Sequence, residues 1–422
     1  MIKKDLVKRY IVEFHNRNFS DVKQRELKIE KIKNRAICII GPRRIGKTYF
    51  LFSLIKNPED YLYIDFENPI FYNSKPEDII DILDAYKELY PDKNPIVLLD
   101  EVQNIIDWER IVRYLLDKGL EVYVTGSSSK LLSTEIATHL RGRSITYNLL
   151  PLSFREFLRF RSIMLEGKAF YENYNKIRGS LEEYLKYGGY PEVVLNEQKE
   201  RILKEYLEVL IKRDILERYK IRNVYLINEL LYFAINNYSK YLSYDSLFRL
   251  FKQRIRVTKR TIISYISYFE DAMILFLVRE YSSSLKKRIV SPRKIYLIDV
   301  GYGLFGNKNI SRDMENVVFL ELLRKKYYKN INLEFYYLRK NNKYEVDFVI
   351  KEGLNIKQLI QVTYANSKDE IERREIRSLL KAHELFKENN PELIVITWDY
   401  EDNLRIDNKE IKFIPLWKWL LV

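Results

Sequence analysis

The stretch that decides the fold is "AICIIGPRRIGKTYFLFSLI", residues 36–55, which joins an apolar run, a glycine-bearing loop and a helical pattern. Within it, residues 41–48 fit the pattern G-x-x-x-x-G-K-[ST] at every fixed position. Backbone N–H groups of such a loop point inward at phosphates, and Gly46 lets the chain approach them closely. The positive end of the following helix adds to the anion site. The stretch therefore predicts a phosphate-binding loop between a buried strand and a helix.

The residue types of this loop suit a nucleoside triphosphate with its metal ion. Lys47 is expected to reach the β- and γ-phosphates, and Thr48 to offer its hydroxyl to Mg²⁺. ATP and Mg²⁺ are therefore the expected ligands. The expected contacts are Gly41, Pro42, Arg43, Arg44, Ile45, Gly46, Lys47, Thr48 and Tyr49.

A second apolar run, "PIVLLDEVQNI" at residues 95–105, ends in two acids. Asp100 fits the acid that holds Mg²⁺ through water, and Glu101 fits the base that orients the attacking water. The alternative is a strand that merely ends in two acids, and it is weak beside the phosphate loop. The pair predicts the catalytic edge of an ATP-hydrolysing site.

Three further runs complete a predicted sheet. "EVYVTGSSSKLL" (121–132) is a buried strand whose Ser127, or its neighbours Ser128 and Thr125, is a candidate sensor of the γ-phosphate, although such hydroxyls are also ordinary turn formers. "DYLYIDFEN" (60–68) and "SITYNLLPLSF" (144–154) read as two more strands. Strands that alternate with helices predict an α/β fold with a parallel sheet, whose ligand lies at the carboxyl ends of the strands.

Composition narrows the class of protein. With 422 residues, 46% hydrophobic and 31% charged, the chain is long enough for two to four globular domains. The net charge of +14 favours a polyanion such as nucleic acid as partner, with a lysine-rich composition bias as the alternative. A lone cysteine, Cys38, indicates a reducing cytoplasm. The N-terminus does not resemble a secretory signal, and no run approaches the ~18 apolar residues of a membrane span, so we expect a cytoplasmic protein.

Several segments together resemble a known family. "GPRRIGKT", "LLDEVQ", "TGSSS", "LRGRSITYNLLPLSFREF" and "YLKYGGYPEVV" are similar to prokaryotic (archaeal-type) AAA+-like P-loop ATPases with a winged helix and a C-terminal uncharacterised PD-(D/E)xK nuclease-like domain. The last two segments are the family-specific part. The resemblance extends along nearly the whole chain.

The resemblance implies two further roles near the nucleotide. An arginine just before the fifth strand can reach the γ-phosphate of a neighbouring subunit, and Arg141 and Arg143 match that location, with Arg143 preferred. The alternative is a surface arginine at a helix end. "GGYPE" (188–192) resembles the element that closes a helical lid over the adenine, which would place Pro191 near the nucleotide, although a helix terminator with a turn explains it too.

The middle of the chain reads as a helical lid followed by a winged helix-turn-helix. Three helices, the second capped by Ser243 and the third by Thr258, precede two strands joined by the basic loop "SSSLKKRIVSP" (282–292). The first turn of the third helix is where a recognition helix would enter the major groove, and the loop is placed for backbone phosphates. Protein contact is the alternative to duplex DNA. The candidate DNA contacts are Lys259, Arg260, Lys286, Lys287 and Arg288.

The last third has the helix and strand order of a PD-(D/E)xK nuclease. Asp347 in "KYEVDFVI" (343–350) matches the acid of the second strand, and Glu315 or Glu321 the acid of the helix. Where the third strand should carry E-x-K, this chain has Gln361 and Thr363, and neither offers a charge. Lys357, expected on the preceding turn, is a poor substitute. We expect a degenerate nuclease site without activity.

The expected organisation is a P-loop ATPase domain (1–153), a helical lid (154–225), a winged helix (226–300) and a degenerate nuclease-like domain (301–422). The leading hypothesis is an Mg²⁺-dependent AAA+-type ATPase that acts on DNA or with a partner protein and forms a nucleotide-dependent homo-oligomer. An ATP-gated DNA nuclease and a signalling switch with slow turnover are the alternatives.

Overall fold

The computed structural model describes residues 3–127, 136, 138–163, 173–340 and 344–422. The chain divides into two compact units, Met1–Leu150 and Pro151–Val422. The expected division of the second unit at residues 225 and 300 stays a prediction. Within the described ranges, no helix is long and apolar enough to cross a membrane.

The first unit is built on a five-stranded parallel sheet, as the alternating pattern predicts, and this confirms an α/β fold. The strand order is β2–β3–β4–β1–β5. Parallel register brings the carboxyl ends to one edge, where Gly41 pairs with Ser127 and Asp65 pairs with Asp100. The strands are β1 (Ala36–Gly41), β2 (Tyr61–Asp65), β3 (Ile96–Asp100), β4 (Val122–Ser127) and β5 (Ser144–Asn148).

Helices alternate with the first four strands along the chain. Strand β1 is buried over its whole length. Cys38 lies in β1 with 1% of its surface exposed, and burial raises the pKa of its thiol to about 12, as expected for a packed core residue. The helices are α1 (Lys4–His15), α2 (Lys47–Phe52), α3 (Asp78–Leu89) and α4 (Trp108–Asp117), with short 3₁₀ turns at Pro58–Asp60 and Val102–Asn104.

The second unit begins with the helices that the sequence predicts. The first of them starts with a capping box, because Ser153 Oγ accepts from the backbone N–H of Glu156 at 3.0 Å and the Glu156 carboxylate accepts from the N–H of Ser153 at 2.9 Å. A π-helix at Leu210–Glu217, which the sequence pattern did not predict, ends the series. The helices are α5 (Phe154–Phe160), α6 (Tyr174–Tyr187), α7 (Pro191–Leu195) and α8 (Lys199–Val209).

The next segment, as far as the structure describes it, combines four helices with a three-stranded sheet of order β6–β8–β7. Ser243 and Thr258 cap their helices as predicted. The sequence predicted a basic loop at residues 282–292, but residues 285–290 form a short helix. The elements are α9 (Val224–Asn236), β6 (Tyr241–Leu242), α10 (Tyr244–Lys252), α11 (Lys259–Asp271), β7 (Leu275–Val278), α12 (Leu285–Val290) and β8 (Arg293–Leu297), followed by a 3₁₀ helix at Val300–Phe305.

The C-terminal part holds a six-stranded sheet of order β13–β14–β12–β11–β10–β9. Its first six elements follow the predicted order, whereas β13, β14 and α15 were not predicted. Strand β10 carries a bulge, since Val346 pairs with Leu338 and Val349 with Tyr336, which leaves one extra residue on β10. The elements are α13 (Ile310–Tyr328), β9 (Leu333–Lys340), β10 (Tyr344–Glu352), β11 (Asn355–Val362), α14 (Arg373–Leu385), β12 (Glu392–Thr397), β13 (Asp402–Ile406), β14 (Lys409–Pro415) and α15 (Leu416–Leu421), with a 3₁₀ turn at Lys368–Glu370.

Candidate active site

The loop between β1 and α2 contains two residues with a positive φ. Gly46 has φ of +90° and Arg44 has φ of +64°, the left-handed region that favours glycine. At Gly41 a Cβ atom would lie 2.5 Å from the carbonyl oxygen of Leu149, so this position also needs glycine. The Lys47 ammonium is buried and donates to the carbonyls of Pro42 at 3.3 Å and Gly41 at 3.4 Å. The loop is therefore folded around the lysine that the motif requires.

The loop is tied to the chain that follows β5, a contact that the sequence did not predict. Arg25 donates to the carbonyl of Ile45 at 3.2 Å and to the carbonyl of Leu150 at 2.6 Å. Ile45 is fully buried, whereas the Tyr49 side chain is 67% exposed. Arg25 thus holds the loop through its backbone, and Ile45 is packed in the protein interior. Tyr49, on α2, is exposed to solvent.

Asp100 accepts hydrogen bonds from three hydroxyl groups. Its Oδ2 accepts from Thr48 Oγ1 at 2.6 Å and from Tyr63 Oη at 2.9 Å, and its Oδ1 accepts from Thr125 Oγ1. Burial raises the pKa of Asp100, and the hydrogen bonds from Thr125, Thr48 and Tyr63 oppose the rise. The carboxylate is therefore held against α2, next to the hydroxyl that the motif assigns to Mg²⁺.

Glu101 faces the phosphate loop from a strained backbone position. Its φ is +52°, which is uncommon for a residue with a side chain and is typical of functional sites. Its Oε1 lies 3.5 Å from Lys47 Nζ, and its Oε2 accepts from the Gln103 amide. Burial alone raises the pKa of Glu101, but Lys47, Gln103 and Arg43 outweigh burial and leave the pKa below its ordinary value. Glu101 is thus held ionised beside the loop.

The residues fit a nucleoside triphosphate with Mg²⁺. Thr48 and Asp100, the hydroxyl and the carboxylate that would hold the metal ion, already lie in contact at 2.6 Å. Bound there, Mg²⁺ would neutralise phosphate charge. The loop geometry, the buried Lys47 and the ionised Glu101 together form a site suited to phosphoryl transfer to water.

Among the candidate sensors, the structure brings Thr125 to the site. Its hydroxyl donates to Asp100 and accepts from the backbone N–H of Glu101 at 3.1 Å, so one side chain positions both acids. Ser127 ends β4, and its side chain lies outside the described part of the chain, as does Ser128. The sequence preferred Ser127 because it ends the strand, but the parallel register with β3 brings Thr125 to the level of the two acids.

Arg143 lies at the edge of the sheet opposite to the phosphate loop. Its carbonyl accepts from the N–H of Ala36, the first residue of β1, whereas the loop follows the last residue of β1. Its guanidinium donates to Asp117 Oδ1 at 2.8 Å. Arg141 is exposed with φ of +50°. Within its own subunit, Arg143 therefore cannot reach the loop, and a role at phosphate requires a second copy of the chain.

The glycine pair before Pro191 packs against a buried aspartate in the second unit. Asp299 accepts from the N–H of Gly189 at 2.7 Å and of Gly301 at 2.8 Å. A Cβ on Gly188, whose φ is +78°, would overlap the Asp299 carboxylate. Burial raises the pKa of Asp299 to about 7. The segment thus has a packing role within the second unit, and the proximity of Pro191 to a nucleotide stays a prediction.

The predicted nuclease residues lie around a lysine that the sequence did not predict. Lys294, on β8, places its Nζ 2.9 Å from Asp347 Oδ1, 3.0 Å from Glu315 Oε1 and 2.9 Å from Glu345 Oε1. Burial lowers the pKa of Lys294, but Asp347 and Glu315 outweigh burial, so the ammonium keeps its proton. The second oxygen of Asp347 accepts from the N–H of Val362 at 3.0 Å.

Glu321, the alternative helix acid, and Lys357, the poor substitute for the missing lysine, do not join that site. Glu321 is buried six residues along α13 from Glu315, and it pairs with Arg155 at 2.6 Å and Arg324 at 2.5 Å. Its role is therefore that of an internal ion pair, and Glu315 is the helix acid near Asp347. Lys357 lies within β11 and not on a turn, with its side chain exposed. Gln361 and Thr363, at the positions expected for E-x-K, are both buried and neither carries a charge.

The candidate DNA contacts are exposed to different degrees. Lys259 begins α11 and pairs with Asp245 at 2.6 Å, and the neighbouring Arg260 is exposed. On α12, Lys286 is exposed, Lys287 pairs with Glu280 at 2.6 Å and Arg288 is partly buried. Helix α12 is short and its apolar Leu285, Ile289 and Val290 are also exposed, so the basic residues lie on a helix and not on an extended loop.

A family model described as an AAA domain matches residues 33–158, which include the whole strand–loop–helix site. Two models described as domains of unknown function, DUF8612 and DUF4143, match residues 178–305 and 312–419. Fold and site therefore define a protein with an AAA-type P-loop ATPase-like domain, a nucleotide-binding class.

The chain is 39% identical to the uncharacterized protein MJ1544 of Methanocaldococcus jannaschii, over 94% of this chain and 90% of that protein, and it belongs to the same family. An uncharacterized protein of Haemophilus influenzae is 27% identical over 90% of this chain and 93% of its own length. Among solved structures, the Walker-type ATPase PABY2304 of Pyrococcus abyssi is 16% identical, with a TM-score of 0.41 over 72% of this chain and 95% of that one, a likeness too slight to carry an inference.

Proposed function

We propose that this protein binds ATP with Mg²⁺ at residues 41–48 and hydrolyses the ATP. The observation that carries the proposal is the pair of contacts that joins the loop to the end of β3: Thr48 to Asp100 at 2.6 Å and Lys47 to Glu101 at 3.5 Å. These contacts place a hydroxyl, an ammonium and two carboxylates around one loop. That is the set of groups that phosphoryl transfer to water requires.

Each group has a separate part in the proposed reaction. Backbone N–H groups and Lys47 bind the phosphates and stabilise charge on the departing ADP. Glu101, held ionised, orients a water molecule and accepts its proton. Thr125 fixes both acids relative to each other through its two hydrogen bonds. The assignment to Glu101 is supported by its lowered pKa and its position beside Lys47.

Nucleotide binding is tested by Lys47→Ala, with Lys56→Ala as the matched control because Lys56 is an exposed lysine of the same unit. Titration of a non-hydrolysable ATP analogue with Mg²⁺, followed by calorimetry, should show that Lys47→Ala loses at least about tenfold in affinity, since a lost charged contact costs on the order of 1.5–3 kcal/mol. Lys56→Ala should bind as the wild type does. Equal affinity of all three proteins would contradict the site.

Duplex DNA is the proposed partner of the second unit, through the segment 249–260. This segment, "RLFKQRIRVTKR", carries six basic residues and no acid. All six basic side chains are exposed, and they lie at the end of α10, in the following loop and in the first turn of α11. Such a density of exposed positive charge attracts phosphates. The six are Arg249, Lys252, Arg254, Arg256, Lys259 and Arg260.

The C-terminal sheet is proposed to be a nuclease-like domain that no longer cuts DNA. The Lys294 ammonium lies beside Asp347. Gln361 and Thr363 are buried where the third strand of an active nuclease would carry its acid and its lysine. An ATP-gated nuclease is therefore disfavoured. A switch with slow turnover differs from the proposed ATPase only in rate, so measured phosphate release decides between them.

Assembly of several chains is proposed from the position of Arg143. Because Arg143 lies at the sheet edge opposite to the loop of its own chain, its proposed partner is the phosphate group of a second copy. The test is particle size with and without ATP. An increase with ATP that Arg143→Ala abolishes would support this proposal. Pro191 is proposed to lie near the adenine in the same assembly.

A further inference from the structure

The centre around Lys294 is unusual because a lysine lies where three carboxylates converge. The Lys294 side chain is 3% exposed, and its Nζ lies 2.9–3.0 Å from one oxygen each of Glu315, Glu345 and Asp347. A protonated lysine has three N–H donors. Each carboxylate therefore takes one donor, and the ammonium is fully coordinated by these three residues.

An isolated charge in a protein interior is costly, and a buried lysine ordinarily loses its proton. Here the carboxylates compensate the ammonium, and further groups compensate the carboxylates. Tyr296 donates its hydroxyl to Glu315 at 2.6 Å, and the N–H of Val362 donates to Asp347 at 3.0 Å. The centre is thus a hydrogen-bonded network built on a lysine, in which the Glu345 side chain is 37% exposed.

The metal ion that the nuclease fold implies does not fit this centre. Mg²⁺ requires oxygen ligands at about 2.0–2.1 Å in a near-octahedral arrangement. The three carboxylate oxygens instead lie 2.9–3.0 Å from a nitrogen atom between them. Within the part of the chain that the structure describes, no group of three or more His, Cys, Asp or Glu residues is placed to hold a metal ion.

We propose that Lys294 is a built-in counter-ion, whose ammonium stands where the nuclease fold would hold a divalent cation and closes the centre to metal. The inference rests on the proposed nuclease-like assignment of this domain, and it does not depend on ATP hydrolysis. The lysine is a second reason to expect no DNA cleavage, besides the lack of charge at Gln361 and Thr363.

The lysine reaches the centre because β8 runs beside α13. Asn316, the neighbour of Glu315, accepts from the N–H of Leu297 at 2.8 Å and donates to its carbonyl at 3.0 Å. This two-way contact aligns β8 with the helix that carries Glu315. The Asn316 side chain therefore helps to position the strand that carries Lys294. Asp347 itself lies within the β-bulge between Val346 and Val349.

Two further oxygens beside the centre have no hydrogen-bond partner among the described residues. They would add to the ligands of a metal ion if the lysine were removed. Gln361 is 8% exposed, and its amide oxygen has no hydrogen-bond partner among the described residues. Glu375 on α14 likewise has one buried carboxylate oxygen without a partner in that part of the chain. Together with the three carboxylates, they offer enough oxygen donors for a divalent cation.

The test counts Mn²⁺ ions bound to the full chain without nucleotide, from the loss of the free-ion signal in electron paramagnetic resonance. The wild type and Asp347→Asn should bind the same number of ions. Lys294→Met should gain an Mn²⁺ ion per chain, and the double variant with Asp347→Asn should lose that gain. Lys308→Met is the matched control, because Lys308 is a partly buried lysine paired with Asp313 in the same unit.

An Asp347-dependent ion in the wild type, or no gain in Lys294→Met, would overturn the proposal. If Lys294→Met does not fold in chelator, its folding is measured again with Mn²⁺. Recovery supports the proposal, and failure to recover overturns it. Phosphate release from ATP by the wild type is measured separately, because its absence would contradict the proposed ATPase function and would leave the ion count interpretable.

Discussion

The hydroxyl of Tyr63 donates a hydrogen bond of 2.9 Å to Asp100 Oδ2, the same oxygen that accepts from Thr48. Tyr63 lies on β2, next to the strand that ends in Asp100, and both side chains are buried. A residue outside every motif of the sequence therefore positions the proposed metal-binding acid.

Tyr63→Phe should raise the Mg²⁺ concentration that ATP hydrolysis requires, without abolishing hydrolysis. Loss of one hydrogen bond to a charged group costs on the order of 1.5 kcal/mol, so the half-saturating Mg²⁺ concentration should rise about tenfold. Tyr123→Phe is the control, because the Tyr123 hydroxyl contacts Glu121 near the amino end of β4. An unchanged Mg²⁺ requirement in Tyr63→Phe would show that Asp100 does not need this contact.

Asp299→Asn should change how stability depends on pH. Burial raises the pKa of Asp299 to about 7 in the folded state, against about 3.9 in the unfolded chain. The contribution of the neutral carboxyl to stability is therefore fully present below about pH 4 and is lost as the pH rises through about 7. Asparagine cannot ionise, so the variant should gain stability relative to the wild type between pH 4 and pH 8.

Urea unfolding followed by tryptophan fluorescence measures this difference, since Trp398, Trp417 and Trp419 lie in the same unit as Asp299. Asp407→Asn, at an exposed position, is the control and should show no such trend. If the free-energy difference between Asp299→Asn and the wild type stays constant over this pH range, the raised pKa is wrong.

Lys259→Ala combined with Arg260→Ala should weaken the binding of duplex DNA and make it less sensitive to salt. Each phosphate contact contributes about 0.9 to the slope of log affinity against log salt, so the slope should fall by up to about 2. Lys33→Ala with Arg35→Ala removes two exposed basic residues of the first unit and serves as the control. Unchanged DNA binding would assign the basic segment to a protein partner.

Local patterns in the sequence predicted the sheet of the first unit and its phosphate loop. The glycines and the lysine of the loop are close together in the chain, and each strand is a distinct apolar run. The hairpin and helices that surround Asp347 were predictable for the same reason. The preference for Ser127 came from its position at a strand end, and only the register between β3 and β4 shows that Thr125 contacts Asp100.

The rest depends on contacts between distant parts of the chain. Lys294 is far in sequence from Asp347 and lies on a strand that the sequence assigned to another domain. Helical spacing placed Glu315 and Glu321 on one helix, but their partners decide their roles, and those partners include Arg155 from an earlier helix. The β-bulge before Val349 has no sequence signal of its own.

Phosphate release from ATP, measured with Mg²⁺ in the presence and absence of duplex DNA, tests the central claim most directly. The account predicts release by the wild type, stimulation by DNA, and a loss of about 10²–10⁴-fold in Glu101→Gln, the usual contribution of a general base. Glu121→Gln, at the opposite end of the sheet from the loop, should behave as the wild type does. Release by Glu101→Gln at the wild-type rate, or no release by the wild type under either condition, would contradict the account.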